Sequence, residues 1–326
     1  MSATYTIYGG ELSYFTRKLE AAMKFYGANF FLRPKTPDNS ADIEKRSGTH
    51  QVPVLHTPEN WMIGDTTPLM MLLDSRFPDR RMFPDGPLGV LVHVVEEYFD
   101  EWIARTMVHY RWHYQESAEF ASIRMANGVA EAAERVRNWG PRACRATGTE
   151  SEVQQRAAEE EYVRILEAAE KQLSETPYLL GDRPTAVDCI VLGGLRAHTY
   201  MDPTPKKVTA NYPKVIEWTE NGADRWDGNG ELAPFPDSTP FAQFVLKEMV
   251  STYQPYVMGN QIAQEAGIRA FTAHIYDEDV SYLSRPYPEF ARQMIVDRIQ
   301  NRLSAQGQER ISSWLEEKQL NRCFGS

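Results

Sequence analysis

The sequence predicts an α+β chain: a small mixed unit over residues 1–84, an all-α unit over 88–226, and a further helical stretch over 227–326. Three observations lead there. Residues 4–83 hold short β-branched and aromatic runs interleaved with helix-period segments, in the order strand, helix, strand, hairpin, helix. From Leu88 onward apolar residues recur at three- and four-residue steps. A Gly/Pro/Asp-rich stretch, 227–240, then separates that body from three more segments of helical period, 241–253, 287–303 and 306–320.

Each early element has a local cause. Thr4 to Tyr8 alternates as a strand should, and Gly9-Gly10 stops it. Ser13 precedes Leu19, Ala22, Met23 and Tyr26 at helical spacing, closed by Gly27. Residues 29–33 read as a second strand, followed by a link containing Pro34, Pro37 and Gly48. Gln51-Val52-Pro53-Val54-Leu55, a turn at 56–60 and an apolar run at 61–64 form a hairpin. Asp65-Thr66-Thr67-Pro68 then opens a helix, with Asp or Thr as its cap. This βαβ-ββα order is that of a thioredoxin-like domain.

The chemistry concentrates on two short stretches of that unit. Proline in Val52-Pro53 has no donor for a sheet ladder, so it marks a sheet edge or a special turn. Read as cis, it leaves the backbone of Val52 free to pair with an extended peptide. An ordinary trans proline on an edge strand is the plain alternative. The helix start at Asp65 and Thr66 gathers a carboxylate, hydroxyls and free amide donors, suited to the ammonium and carboxylate of an α-amino acid.

Together these residues resemble the glutathione-binding half of the glutathione transferase superfamily, in which a Val-Pro is followed about a dozen residues later by an acid or glutamine and a Ser/Thr. Asp65 lies twelve residues after Pro53, and Thr66 thirteen. The resemblance implies that the backbone of Val52, beside cis Pro53, pairs with the cysteinyl part of reduced glutathione. It assigns the γ-glutamyl end to Asp65 and Thr66, and the glycine carboxylate to Gln51. Asp in place of Glu or Gln, and Thr in place of Ser, keep the chemistry. In serine-type members the catalytic hydroxyl stands just before the first helix, four residues ahead of a basic residue, as Ser13 stands to Arg17. A hydroxyl at a helix N-terminus stabilises a thiolate, and thiol pKa values there fall from about 8.5 to roughly 3.5–7.5. Ser13 equally fits a plain N-cap. Tyr8, at the end of the first strand, is the runner-up donor, and Tyr14 flanks Ser13.

The all-α part carries a second resemblance. Residues 178–188, Y-L-L-G-D-R-P-T-A-V-D, are similar to the superfamily's "L-x-G-D-x-x-T/S-x-A-D" segment, with Val187 where alanine is common. Thr185 and Asp188 have capping-box spacing, so Asp188 is expected to be buried and structural. Residues 211–218 resemble the "Y-P-x-l-x-x-W" helix that follows. The stripe Leu91, Val94, Val95, Tyr98, Trp102, Ile103 and Met107 runs into an aromatic cluster at 109–114. By the resemblance that helix walls the second-substrate pocket, with Tyr14, Tyr110 and Trp112 as candidates facing a small apolar electrophile. His109 and His113 have ligand-like spacing but lack a third ligand, so no metal is expected. Residues 117–150 form a longer link than usual for the superfamily. The helix at 151–173 reads as amphipathic with a solvated charged face.

Composition excludes other classes. With 35 basic against 45 acidic residues the net charge is −10, which disfavours nucleic acid and anionic membrane. Cys144, Cys189 and Cys323 form no C-x-x-C pair, which argues against a zinc ribbon or a disulfide scaffold. No apolar run is long enough to span a bilayer, and the N-terminus lacks a leader pattern, so the cytoplasm is expected. The resemblance further implies a twofold homodimer. A glutaredoxin-like reductase is disfavoured because Ser13 stands where that exchange needs a thiol. The alternative from another class is a non-catalytic, glutathione-transferase-like interaction or ligand-binding protein. The helical stretch at 227–326 is expected to pack on the body, as a lid over one end of the pocket or as a stabilising or dimer-forming appendage.

Overall fold

The computed structural model describes residues 4–222 and 226–325. Met1, Ser2 and Ala3, read above for a leader pattern, lie outside the described residues. The N-terminal unit runs β1 (Thr4–Tyr8), α1 (Tyr14–Phe25), β2 (Asn29–Arg33), α2 (Pro37–Ser47), β3 (Val54–His56), β4 (Met62–Ile63) and α3 (Thr66–Arg76). Its sheet has the order β2-β1-β3-β4, with β1 and β2 parallel and the other pairs antiparallel. That is the thioredoxin-like arrangement. Tyr5 and Ile7 of β1 and Leu19, Ala22 and Met23 of α1 are buried together, so the period-2 and period-3.6 patterns meet in one core.

The link holding Pro34, Pro37 and Gly48 is itself largely helical. Thr36 and Asn39 form a capping box at the start of α2, Pro37 occupies its first turn, and Gly48 closes it at φ 73°.

The helical body comprises α4 (Gly86–Glu97), a π-helical turn (Tyr98–Trp102), α5 (Ala104–Trp112), α6 (Gln115–Met125), α7 (Ala130–Arg137), α8 (Gly140–Ala146), α9 (Glu152–Glu175), α10 (Ala186–Gly194), α11 (Pro203–Thr209) and α12 (Pro213–Asn221). Helix α10 lies directly on α1. At Gly193 a Cβ would fall 2.8 Å from the Lys18 nitrogen and the Tyr14 oxygen, so only glycine permits this approach of the two backbones. Thr185 and Asp188 cap α10. The Asp188 carboxylate accepts from the Thr185 amide at 2.8 Å and from the Leu179 amide at 2.9 Å, fully buried.

The C-terminal third is more than helices. After α13 (Pro240–Ser251) and α14 (Tyr253–Glu265) comes an antiparallel hairpin, β5 (Ala270–Ile275) and β6 (Glu278–Leu283). Then follow α15 (Pro286–Arg302), α16 (Ala305–Glu317) and α17 (Asn321–Phe324). The turn residues Tyr276 and Asp277 both have positive φ, 53° and 59°, as a two-residue type I′ connection requires. Phe241, Val245, Met249 and Tyr253 are fully buried in the same core as Phe99 and Trp102.

The charged face of α9 is solvated at Glu160, Glu167 and Lys171, as expected, but departs from that at one position. Glu161 is buried and accepts from Trp102 Nε1 at 2.6 Å, Tyr276 Oη at 2.9 Å, Tyr98 Oη at 3.1 Å and Arg105 Nη1 at 3.2 Å. Arg164 bonds Glu248 at 2.7 Å. The extension is therefore fastened to the body by polar contacts as well as apolar ones. No helix among the described residues is long and apolar enough to cross a membrane.

Candidate functional site

A cavity of about 180 Å³ opens where the N-terminal unit, the π-helical turn and the extension meet. From the first it takes Phe15, Thr49, Gln51, Val52, Pro53, Asp65 and Thr66; from the helical body Asp100, Glu101, Ala104 and Thr147; and from the extension Arg285 and Tyr287. The Val52-Pro53 bond is cis. Val52 precedes β3, and among the described residues its backbone makes no hydrogen bond. Gln51 is exposed, with its amide donating to Thr49 Oγ1 at 3.1 Å.

Asp65 takes the N-cap position of α3 at φ 63°, uncommon for a residue with a Cβ, and Thr66 begins the helix, buried. Burial pushes the Asp65 carboxyl up, and the Asp100 carboxylate adds to this against the pull of Lys18. Strain and an unfavourable charge at one residue, both facing a cavity, are what a ligand-holding position carries.

Beneath the cavity lies a buried ion cluster. Lys18 Nζ, with no solvent exposure, donates to Glu96 Oε1 at 2.5 Å, Asp100 Oδ1 at 2.6 Å and Thr67 Oγ1 at 2.7 Å. Burial opposes its charge, but Asp100 and Glu96 outweigh burial and hold its pKa above the ordinary lysine value. Glu96 is also raised, because burial outweighs the single ammonium it shares with Asp100. One cation facing two acids favours retaining a proton on the glutamate, so the cation is the fixed charge of the group. This cluster ties α1, α3 and α4 together at the cavity floor.

The sequence-predicted hydroxyls stand differently from one another. Ser13 is the N-cap of α1, its Oγ accepting from the Thr16 amide at 3.3 Å, and it is half-buried; the cavity wall begins two residues later, at Phe15. Tyr8 ends β1, its ring stacked on His56 with centroids 6.5 Å apart. Tyr14 is buried and donates to the Phe99 carbonyl at 2.8 Å, so its hydroxyl is committed inside the core and serves neither proposed role. Tyr110 and Trp112 also fall outside the cavity. Tyr110 packs on Tyr114 and Tyr162, and Trp112 lies against Gly140. Helix α5 meets the cavity at Ala104, and these rings sit about 9 and 12 Å further along its axis. The residues sequence reasoning missed are Lys18, Asp100, Glu101, Arg285 and Tyr287. A trace of them was legible in the acids Glu96, Glu97, Asp100 and Glu101, which interrupt an otherwise apolar stripe.

Residues 130–225 match the family model for the glutathione S-transferase C-terminal domain. The solved structures most like this one include a glutathione S-transferase of Methylobacterium radiotolerans in complex with glutathione sulfonate, at 19% identity over 68% of this chain and 91% of that one, TM-score 0.44. A glutathione S-transferase of Rhodospirillum rubrum F11 aligns at 16% identity over 73% and 98%, TM-score 0.48. The beta-etherase LigF of Sphingobium sp. strain SYK-6 aligns at 14% over 69% and 96%, TM-score 0.49. No curated protein matches the sequence significantly. Residues 130–225 are thus similar to a glutathione S-transferase C-terminal domain, and they follow a unit of thioredoxin-like topology.

Proposed function

We propose that the protein is a glutathione transferase: it binds reduced glutathione in the cavity described above and presents its thiolate to an apolar electrophile. The observation that carries this reading is the convergence on one cavity of the unpaired backbone at Val52, cis Pro53, Asp65, Thr66 and Gln51. In this reading the cysteinyl backbone adds as a short strand along Val52. Asp65 takes the γ-glutamyl ammonium, Thr66 its carboxylate at the tip of α3, and Gln51 the glycine end.

Ser13 supplies the activating hydroxyl. The Thr16 amide engages one lone pair of its Oγ, leaving the O–H proton free to donate to a thiolate near the first turn of α1. Glutathione loses its thiol proton to solvent, and the sulfur attacks the electrophile as a leaving group departs. Conjugation, thiolytic cleavage and peroxide reduction all begin from that anion.

One observation favours the second reading, a ligand-binding member without turnover: Ser13 serves as a cap and does not line the cavity wall. Ser13→Ala separates the two. Catalysis predicts turnover lost across aryl halides, aryl ethers and hydroperoxides with glutathione affinity unchanged. Undetectable turnover in the wild type, with glutathione bound, would favour the ligand-binding reading. A twofold dimer and a cytoplasmic location belong to the same reading and rest on the resemblance; light scattering and cell fractionation test them.

A further inference from the structure

The proposed tripeptide site leaves one cavity residue unexplained, and it comes from the extension. Arg285 is the N-cap of α15, two residues beyond the end of the hairpin. Its backbone is held at two points by the fully buried Asn260: the Arg285 amide donates to Asn260 Oδ1 at 2.9 Å, and Asn260 Nδ2 donates to the Arg285 carbonyl at 2.9 Å. One corner of the guanidinium is fixed as well, Nη2 donating to Tyr256 Oη at 2.8 Å and to Glu101 Oε2 at 3.3 Å. The rest of the fork is unused. Nε is buried without an acceptor among the described residues, and Nη1 makes no bond there.

The position of this fork decides what it suits. Tyr287, two residues on, lines the same cavity, and its phenol is pushed up by burial and then by Asp65 and Glu101, which puts the extension beside the Asp65 end. That end therefore holds carboxylates from two units, Asp65 with Asp100 and Glu101, and a single guanidinium with donors to spare. A zwitterionic α-amino acid head matches this division of charge, its ammonium among the acids and its carboxylate on the fork.

We propose that Arg285 binds the α-carboxylate of the γ-glutamyl residue, so that the extension completes the tripeptide site that Asp65 and Thr66 begin. The proposal rests on the glutathione reading above and adds a binding residue to it. It also gives the extension a role at the near end of the cavity, on the tripeptide itself.

The test compares two ligands on one protein by calorimetry: glutathione, and its analogue with the γ-glutamyl α-carboxylate converted to a primary amide. Wild type should prefer the free acid, and Arg285→Met should shrink that preference by about tenfold or more, the size of one charge-assisted contact. Because the readout is a ratio within each variant, any general loosening of the fold cancels. Arg285→Lys keeps the charge opposite Glu101 and loses the fork, so it should shrink the preference severalfold and serves where the methionine variant does not fold. A variant that keeps the wild-type preference overturns the role of Arg285 and leaves the glutathione reading standing. No uptake of glutathione by the wild type removes both.

Discussion

Replacing Glu161 with alanine should loosen the extension and destabilise the whole chain, and the structure gives the size of the effect. Its carboxylate faces the Arg105 guanidinium, which is itself 2% exposed and stacked against Trp102 and Tyr276 at 4.8 and 5.6 Å from the ring centres. Removing one partner of a buried pair leaves an uncompensated charge, at a cost of about 3–5 kcal/mol. Tyr98, Trp102 and Tyr276 lose an acceptor at the same time, each worth about 1 kcal/mol or more. These terms share one carboxylate and do not add, so a loss of about 4–6 kcal/mol is expected, a large part of a typical folding free energy of about 5–15 kcal/mol.

Tyr276→Phe is the informative partner. It removes the bond to Glu161 and the one the hydroxyl accepts from Arg164 Nη2 at 3.2 Å, about 1 kcal/mol each, and leaves the Glu161 pair with Arg105 in place. Urea denaturation gives the stabilities, and amide exchange over residues 270–283 gives the local effect. Glu161→Ala should accelerate exchange in the hairpin and in the core around Trp102, and Tyr276→Phe in the hairpin only. A Glu161→Ala protein within about 1 kcal/mol of wild type would refute the view that this carboxylate fastens the extension.

Two further outcomes follow from the same charges. Asp65→Asn should weaken glutathione binding about 10- to 100-fold by calorimetry with little change in melting temperature, because asparagine tolerates positive φ and neutralises a carboxyl already pushed up by burial and Asp100. Affinity equal to wild type would remove Asp65 from the site. In the folded protein burial raises Asp188 to about 6, above its unfolded value near 3.9, so its stabilising contribution is complete below about pH 4 and lost as pH rises through 6, about 3 kcal/mol in all. Glu96 and Glu97, raised by burial, act with the same sign, and His93 and His198, lowered by burial, with the opposite one, so the share of Asp188 is read as the melting-temperature gap between wild type and Asp188→Asn, which should narrow from pH 5 to pH 8.

Sequence pattern reported the elements whose cause is local and missed those whose cause is distant. The N-terminal strands and α1 were legible because burial imposes period 2 on Tyr5 and Ile7 and period 3.6 on α1. Helix α2 was hidden for the opposite reason: only Ile43 is buried, so no apolar stripe exists, although Thr36, Pro37 and Gly48 mark its ends. The hairpin of the extension was hidden because its turn is Tyr276-Asp277, without the Asn-Gly chemistry that signals a type I′ turn. Backbone strain there is offset by contacts from remote elements, the Tyr276 hydroxyl to Glu161 and the Gln154 side chain to the Ile275 carbonyl at 2.8 Å.

The cavity divides along the same line. Val52, Pro53, Asp65 and Thr66 are close in the chain, and their spacing alone brings a free strand edge and a helix tip together. Lys18 read as an ordinary charge on an amphipathic helix, since nothing in its neighbourhood tells that Glu96 and Asp100 will meet it across α3. Arg285 lies further still, behind a turn the sequence does not announce. Yet its place is no accident of a loose appendage, because Asn260 of α14 pins its backbone while α13 and α14 are buried in the shared core. With its backbone held by the body of the protein and Nη2 tied to Tyr256 and Glu101, Arg285 lines the cavity as part of the wall, which is the geometry of a preformed binding group and not of a gate.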